Sequence, residues 1–85
     1  MIGKCYVNPD RHKCIILRKN EETGYGGIVI FREPEKLNDY RSTYSRIAQF
    51  DGWTFHRYDE IPKEEFLKEY RQAIQEQILS IEAVL

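Results

Sequence analysis

The chain of 85 residues lacks any long hydrophobic run. No apolar segment approaches the roughly 18 residues that a membrane-spanning helix requires. The first residues, MIGK, also lack the apolar core of a signal peptide. We therefore expect a cytoplasmic protein with no membrane partner.

Cysteine is scarce, which excludes a scaffold built from disulfides. Only Cys5 and Cys14 are present, and in a reducing compartment both are expected to be thiols. Together with His12 and His56 they form a ligand set that suits tetrahedral zinc, and a tight first hairpin would place Cys5 opposite Cys14. The spacing matches no usual zinc arrangement, so we expect no metal and no cofactor, with a cross-strand disulfide as a less favoured alternative.

The chain also lacks an excess of charge of either sign. Thirteen Lys and Arg residues against fourteen Asp and Glu residues give a formal net charge of −1. Residues 1–59 carry +2 and residues 60–85 carry −3, so a mildly basic body precedes an acidic segment. A net charge near zero provides little long-range attraction to nucleic acid, so we expect nucleic-acid binding to be weak.

Composition and length predict one globular domain over residues 1–85. The apolar fraction of 41% is ordinary for a globular protein once the five glycines are added, and the charged fraction of 32% is only modestly high. A chain of this length buries a single small core and has no room for a second domain.

Short apolar segments between turn signals predict an antiparallel meander. Residues 8–11 (NPDR) are typical of a turn, and residues 14–17 (CIIL) are typical of a central strand covered on both faces. Residues 26–31 (GGIVIF) repeat this pattern before Pro34. We therefore predict three consecutive antiparallel strands in the first 34 residues.

Residues 35–49 are ambiguous between a helix and a strand. Helical spacing relates Leu37, Tyr40, Tyr44 and Ile47, and we favour a short helix on this ground. The strand alternative puts Tyr44, Arg46, Ala48 and Phe50 on one face, and the many Asn, Asp, Ser and Thr residues are weak helix formers. The Asp51-Gly52 pair is a hairpin signal, and residues 53–59 alternate as a strand.

From Pro62 onward the pattern is strongly helical. Proline suits the first turn, and Glu64 and Glu65 complement the positive end of the helix dipole. Apolar residues then recur at three- and four-residue steps, predicting a helix over about residues 63–83. The fold class that follows is α+β, with four to five antiparallel strands and a long C-terminal helix; a small SH3-like barrel with this helix appended is the alternative.

Motifs for catalysis are weak. His12 and His56 are the best acid and base candidates and would suit a small hydrolase or nuclease, but nothing in the sequence brings them together. The glycines of residues 24–27 precede a strand instead of a helix, so they do not form a phosphate loop. We therefore expect no enzymatic activity.

Arginine and aromatic residues alternate between residues 40 and 58, which is typical of interaction surfaces. The residues we predict to bind a partner are Arg41, Tyr44, Arg46, Arg57 and Tyr58. The same composition is used to stack single-stranded nucleic acid, which makes a nucleic-acid-binding domain the second hypothesis. The first is a non-catalytic protein-binding module, such as a small accessory or inhibitor protein of a phage or another mobile element.

The end of the predicted helix is apolar on too many sides for a small sheet to cover. We predict that Ile78, Ile81 and Leu85 mediate self-association, with a homodimer as the simplest assembly. The alternative is that residues 35–49 fold back over this end of the helix.

Overall fold

Five antiparallel strands and one helix make up the described part of the chain. The computed structural model describes residues 2–34, 43–53 and 58–85. The elements are β1 (Cys5–Val7), β2 (Lys13–Asn20), β3 (Gly24–Pro34), β4 (Thr43–Trp53), β5 (Asp59–Ile61) and α1 (Lys63–Glu82). They form one sheet in the order β4-β3-β2-β1-β5. The predicted α+β class, the meander and the C-terminal helix are confirmed.

The edges of the sheet are β4 and β5. Within the described ranges no hydrogen-bonded pairing joins these two strands, so the sheet is open there. The structure therefore does not support the small closed barrel. Among the same residues, no helix combines the length and the apolar character needed to cross a membrane.

The turn between β1 and β2 sets the register of the first hairpin. The Arg11 amide donates to the Asn8 carbonyl at 2.9 Å, and Arg11 then takes a left-handed conformation with φ of 65°. This longer loop pairs Cys5 with Ile15, so Cys5 does not lie opposite Cys14. The two thiols belong to separate core clusters, and the predicted geometry for a shared zinc site or a disulfide is wrong.

Gly26 and Gly27 in β3 lie where both neighbouring strands carry an extra residue. The pairing with β2 shifts between Ile16 and Arg18, and the pairing with β4 shifts between Tyr25 and Gly27. The extra residue in β4 falls within residues 51–52, where Gly52 has φ of 78°. The predicted hairpin at these residues is therefore wrong, because β4 continues through them as a bulged strand to Trp53.

The helix predicted within residues 35–49 is wrong for residues 43–49, which belong to β4. Ile47 faces the cluster beneath α1, and Ala48 packs on the opposite face of the sheet, as strand alternation requires. Residues 35–42 and 54–57 lie outside the described residues. The strand predicted over residues 53–59 is accordingly seen only at its ends, in β4 and β5.

Apolar residues pack on both faces of the sheet. Under α1 the buried residues are Cys5, Ile30, Phe66 and Ala73. We call the opposite surface the aromatic face; Tyr6, Tyr25, Phe31, Phe50 and Tyr58 surround buried Cys14, Ile16 and Val29 there. β2 is therefore covered on both sides at residues 14–16, as its apolar run predicts, but Leu17, the last residue of that run, is exposed.

Burial of Cys14 makes stability sensitive to alkaline pH. Desolvation raises the pKa of its thiol from 9.0 to about 11. The folded state therefore holds the Cys14 proton more tightly than the unfolded chain does. The resulting contribution to the free energy of unfolding is fully present below about pH 9. We expect roughly 2–3 kcal/mol to be lost as the pH rises through the folded pKa.

Urea unfolding of wild type and Cys14→Ala across this pH range measures the effect. The free energy of unfolding that is lost at alkaline pH should be smaller in Cys14→Ala, because the thiol is absent. The tyrosines titrate in both proteins, so their effect on stability is the same. Equal pH dependence in the two proteins would contradict the prediction.

Candidate partner-binding surfaces

Three side chains, from the first turn, β3 and β4, lie in contact in a row at one end of the aromatic face. The His12 ring meets the Phe31 ring edge to face, with 4.9 Å between centroids. The Arg46 guanidinium lies over the Phe31 ring, with its Cζ 4.5 Å from the centroid. Arg46 is exposed and pairs with Phe31 across β3 and β4. We call these three residues the Arg46 row.

The Arg46 row explains how the charged Arg46 side chain is accommodated on the otherwise apolar side of β4. The negative face of an aromatic ring attracts a guanidinium, by about 0.5–1 kcal/mol at an exposed position. The stack also restricts the long arginine side chain, which reduces the entropy lost when it meets a partner. Arg46 is thus both exposed and oriented before any partner binds.

Tyr58 lies on the same face and is tied to the first turn. Burial raises the pKa of its phenol, and a hydrogen bond with the Asn8 side chain partly opposes that rise. The Asn8 side-chain oxygen also accepts a hydrogen bond from the His12 amide at 2.8 Å. Asn8 therefore links Tyr58 to the backbone at His12, where the Arg46 row begins.

The structure brings together only part of the predicted partner-binding set. Arg46 and Tyr58 lie on the aromatic face. Tyr44 lies in β4 opposite Glu33, and Arg41 and Arg57 lie outside the described residues. The sequence analysis did not assign Phe31 and His12 to this surface, because they are 15 and 34 residues from Arg46 along the chain and no local pattern connects them.

The structure does not test the histidine pair considered for catalysis, because His56 lies outside the described residues. His12 is half-buried against Phe31, and its Nδ1 has no hydrogen-bond partner in the described part of the chain. Within that part, no group of three or more His, Cys, Asp or Glu side chains is arranged to hold a metal ion.

An acidic groove runs between the first turn, β5 and the start of α1. Its volume is about 740 Å³, and its lining includes Asp10, Asp59, Glu65 and Glu69. Lys13 lies among these carboxylates, with its Nζ 2.9 Å from Glu69 and 3.5 Å from Glu65. The ion pairs connect β2 to α1 across the groove and neutralise part of its charge, so we assign this groove a structural role.

The second half of α1 carries exposed apolar side chains. They are Ile74, Ile78, Leu79 and Ile81 within the helix, and Val84 and Leu85 after it. The residues predicted for self-association are therefore accessible in the single chain. Among the described residues, nothing folds back over this end of the helix.

Comparison of the chain with protein-family models, with curated proteins and with solved structures found no significant match. The functional argument therefore depends on the surfaces described above.

Proposed function

We propose that this protein is a non-catalytic protein-binding module that contacts a partner through the Arg46 row, at one end of its aromatic face. The observation that carries the proposal is the Arg46 row, in which an exposed guanidinium is held over Phe31 at 4.5 Å. Arginine and aromatic residues are enriched at the energetic centres of protein interfaces. The positive charge of an exposed arginine attracts carboxylates, so the partner should present an acidic side chain here.

The distribution of charge supports a protein partner over a nucleic acid. The acidic residues from position 59 onward lie on β5 and α1, namely Asp59, Glu60, Glu64, Glu65, Glu69, Glu76 and Glu82. The chain as a whole carries −1. Nucleic-acid affinity depends on neutralising several phosphates, whereas one well-placed arginine is enough to anchor a protein contact.

Small size and an exposed arginine anchor fit an accessory or inhibitor protein that occupies a partner's surface, as small proteins of phages and other mobile elements do. Two buried cysteine thiols in separate clusters are compatible with a reducing compartment, so we propose a cytoplasmic location.

Affinity capture from lysate of the source cells, with Arg46→Glu and a matched charge reversal, tests the proposal. The control is Lys63→Glu, which makes the same charge change at an exposed position at the start of α1. We expect Arg46→Glu to lower the affinity for the captured protein at least about tenfold, while Lys63→Glu retains it. Both variants should melt within a few degrees of wild type, because the lost cation–π contact is worth only about 1 kcal/mol.

Titration of labelled single-stranded DNA and RNA at two salt concentrations distinguishes the nucleic-acid alternative. We expect dissociation constants weaker than about 10 μM near 150 mM salt. Submicromolar affinity that falls steeply with salt and is lost in Arg46→Glu would replace the protein-binding proposal.

Equal capture of the protein partner by wild type and Arg46→Glu would show that the partner surface lies elsewhere.

A further inference from the structure

A second apolar stripe runs along α1 beside the one that packs on the sheet. Phe66 and Ala73 are buried against the sheet, and Tyr70 packs beside them. At about 100° per residue, Leu67, Ile74, Ile78 and Ile81 lie roughly a quarter turn away from these residues. Their exposed fractions are 38, 36, 42 and 56%. The sheet therefore leaves this stripe uncovered.

The second stripe has the spacing of a coiled-coil seam. With Arg71 included, positions 67, 71, 74, 78 and 81 follow alternating steps of four and three residues. This is the spacing of the a and d positions of a heptad, which pack into the holes of a facing helix. We call these five residues the helix seam; it extends the residues predicted for self-association at Ile78 and Ile81 toward the start of α1.

We propose that the helix seam binds the helix seam of a second copy of this chain in the antiparallel direction. The charges beside the seam support this arrangement. Lys68, Gln75 and Glu82 are exposed and occupy successive flanking positions, seven residues apart, on the side away from the sheet. In an antiparallel pair with Ile74 packed on the partner subunit's Ile78, Lys68 lies beside the partner subunit's Glu82, and the reciprocal pair forms at the other end.

A parallel pair would be electrostatically unfavourable. It would place Arg71 against the partner subunit's Arg71 inside the seam, and Lys68 and Glu82 would not meet. In the antiparallel pair, Arg71 lies over the partner subunit's Ile81, where its apolar stem covers the isoleucine and its guanidinium extends toward the partner subunit's Glu82.

The fold leaves room for this pairing. The buried residues of α1, Phe66 and Ala73, end at the middle of the helix, and its last nine residues extend beyond them. An antiparallel pair therefore carries its two sheets toward opposite ends. The Arg46 row lies on the opposite side of the sheet from α1, so pairing of α1 does not cover it, and the inference does not depend on the proposed function.

The seam is short, so the association should be modest. From position 67 to position 81 it extends about 21 Å at 1.5 Å per residue, which is two heptads. The helix is already formed on its sheet, so little ordering is required for pairing. We expect a dissociation constant of about 10–100 μM.

Sedimentation equilibrium up to about 500 μM tests the pairing, with Ile78→Glu/Ile81→Glu as the disrupting variant. The control is Leu79→Glu, because Leu79 is 55% exposed but lies on another side of the helix. We expect the seam variant to raise the dissociation constant at least about 30-fold and the control to remain within about threefold of wild type. Circular dichroism verifies that both variants are folded.

Charge exchange tests the direction without disturbing the apolar seam. Lys68→Glu and Glu82→Lys should each weaken the dimer, and Lys68→Glu/Glu82→Lys should restore it. Under mild oxidation Gln75→Cys should cross-link, because the two Gln75 positions meet only in the antiparallel pair, whereas Gln72→Cys on the outer surface should not. The native thiols, Cys5 and Cys14, are buried and do not compete.

A wild-type chain that remains monomeric at about 500 μM would overturn the self-association. A dimer that persists in Ile78→Glu/Ile81→Glu would place the contact elsewhere and overturn the seam. Failure of the charge exchange to restore the dimer, together with no cross-link from Gln75→Cys, would overturn the antiparallel direction.

Discussion

Gly27→Ala is expected to lower the stability of the protein more than any other substitution proposed for it. A Cβ at Gly27 would overlap the carbonyl oxygen of Ile15 in the neighbouring strand, and it would come within 3.1 Å of the Leu17 amide nitrogen. Both obstacles are backbone atoms in the centre of the sheet, so they cannot rotate away as a side chain does. We expect a cost of at least about 3 kcal/mol, against a total of roughly 4–13 kcal/mol for a domain of this length.

Urea unfolding followed by circular dichroism measures this cost. Gly3→Ala is the matched control, because Gly3 has φ of 85° but its nearest neighbour to an added Cβ is the flexible end of Lys63 at 3.9 Å. The control should lose only the strain of a left-handed alanine, about 1–2 kcal/mol. A loss of less than about 1 kcal/mol in Gly27→Ala would show that β2 and β3 move apart without difficulty.

Removing the Phe66 side chain is expected to release α1 from the sheet. Phe66 is 2% exposed, belongs to the cluster of Cys5, Ile30 and Ala73, and stacks on Tyr70 with 5.7 Å between ring centroids. Truncation of a buried phenylalanine to alanine costs about 3–5 kcal/mol. An isolated helix of this length is marginal in water, so α1 should lose much of its helicity when this contact is lost.

Thermal unfolding and amide hydrogen exchange in α1 measure the effect of Phe66→Ala. Leu67→Ala is the control, because it shortens the adjacent side chain on an uncovered side of the same helix turn. At concentrations where the protein is monomeric, the control should cost less than about 1 kcal/mol. Similar destabilisation by the two variants would mean that Phe66 is not the principal anchor of α1.

The sequence predicted those elements whose signals are local. The run at residues 14–17 predicts a buried strand by itself, and residues 14–16 are covered on both faces, whereas Leu17 at the end of the run is 47% exposed. Pro62, the acidic first turn and the apolar spacing that follows likewise define α1, which begins at Lys63. In each case the residues that predict the element lie within about one turn of helix or one strand.

Residues 43–49 show where local pattern is insufficient. Their apolar residues satisfy a helical period as well as an alternating one, and the choice depends on the partner strand. In β4, Ile47 pairs with Ile30 and Ala48 pairs with Val29, so each buries its side chain against a different core cluster. The hydrogen bonds and apolar contacts that decide this conformation come from residues about 17–19 positions earlier in the chain.

For the candidate surfaces too, part of the information is local in the sequence and part comes only from the tertiary structure. The sequence by itself determined that Arg46 and the end of α1 carry residues typical of interfaces, because residue type and helical spacing are local properties. Only the tertiary structure decided that Arg46 rests on Phe31 beside His12, and that the stripe containing Ile74 and Ile78 is left uncovered. Both outcomes depend on strand register and on which side of α1 meets the sheet, and these are set by packing between distant segments.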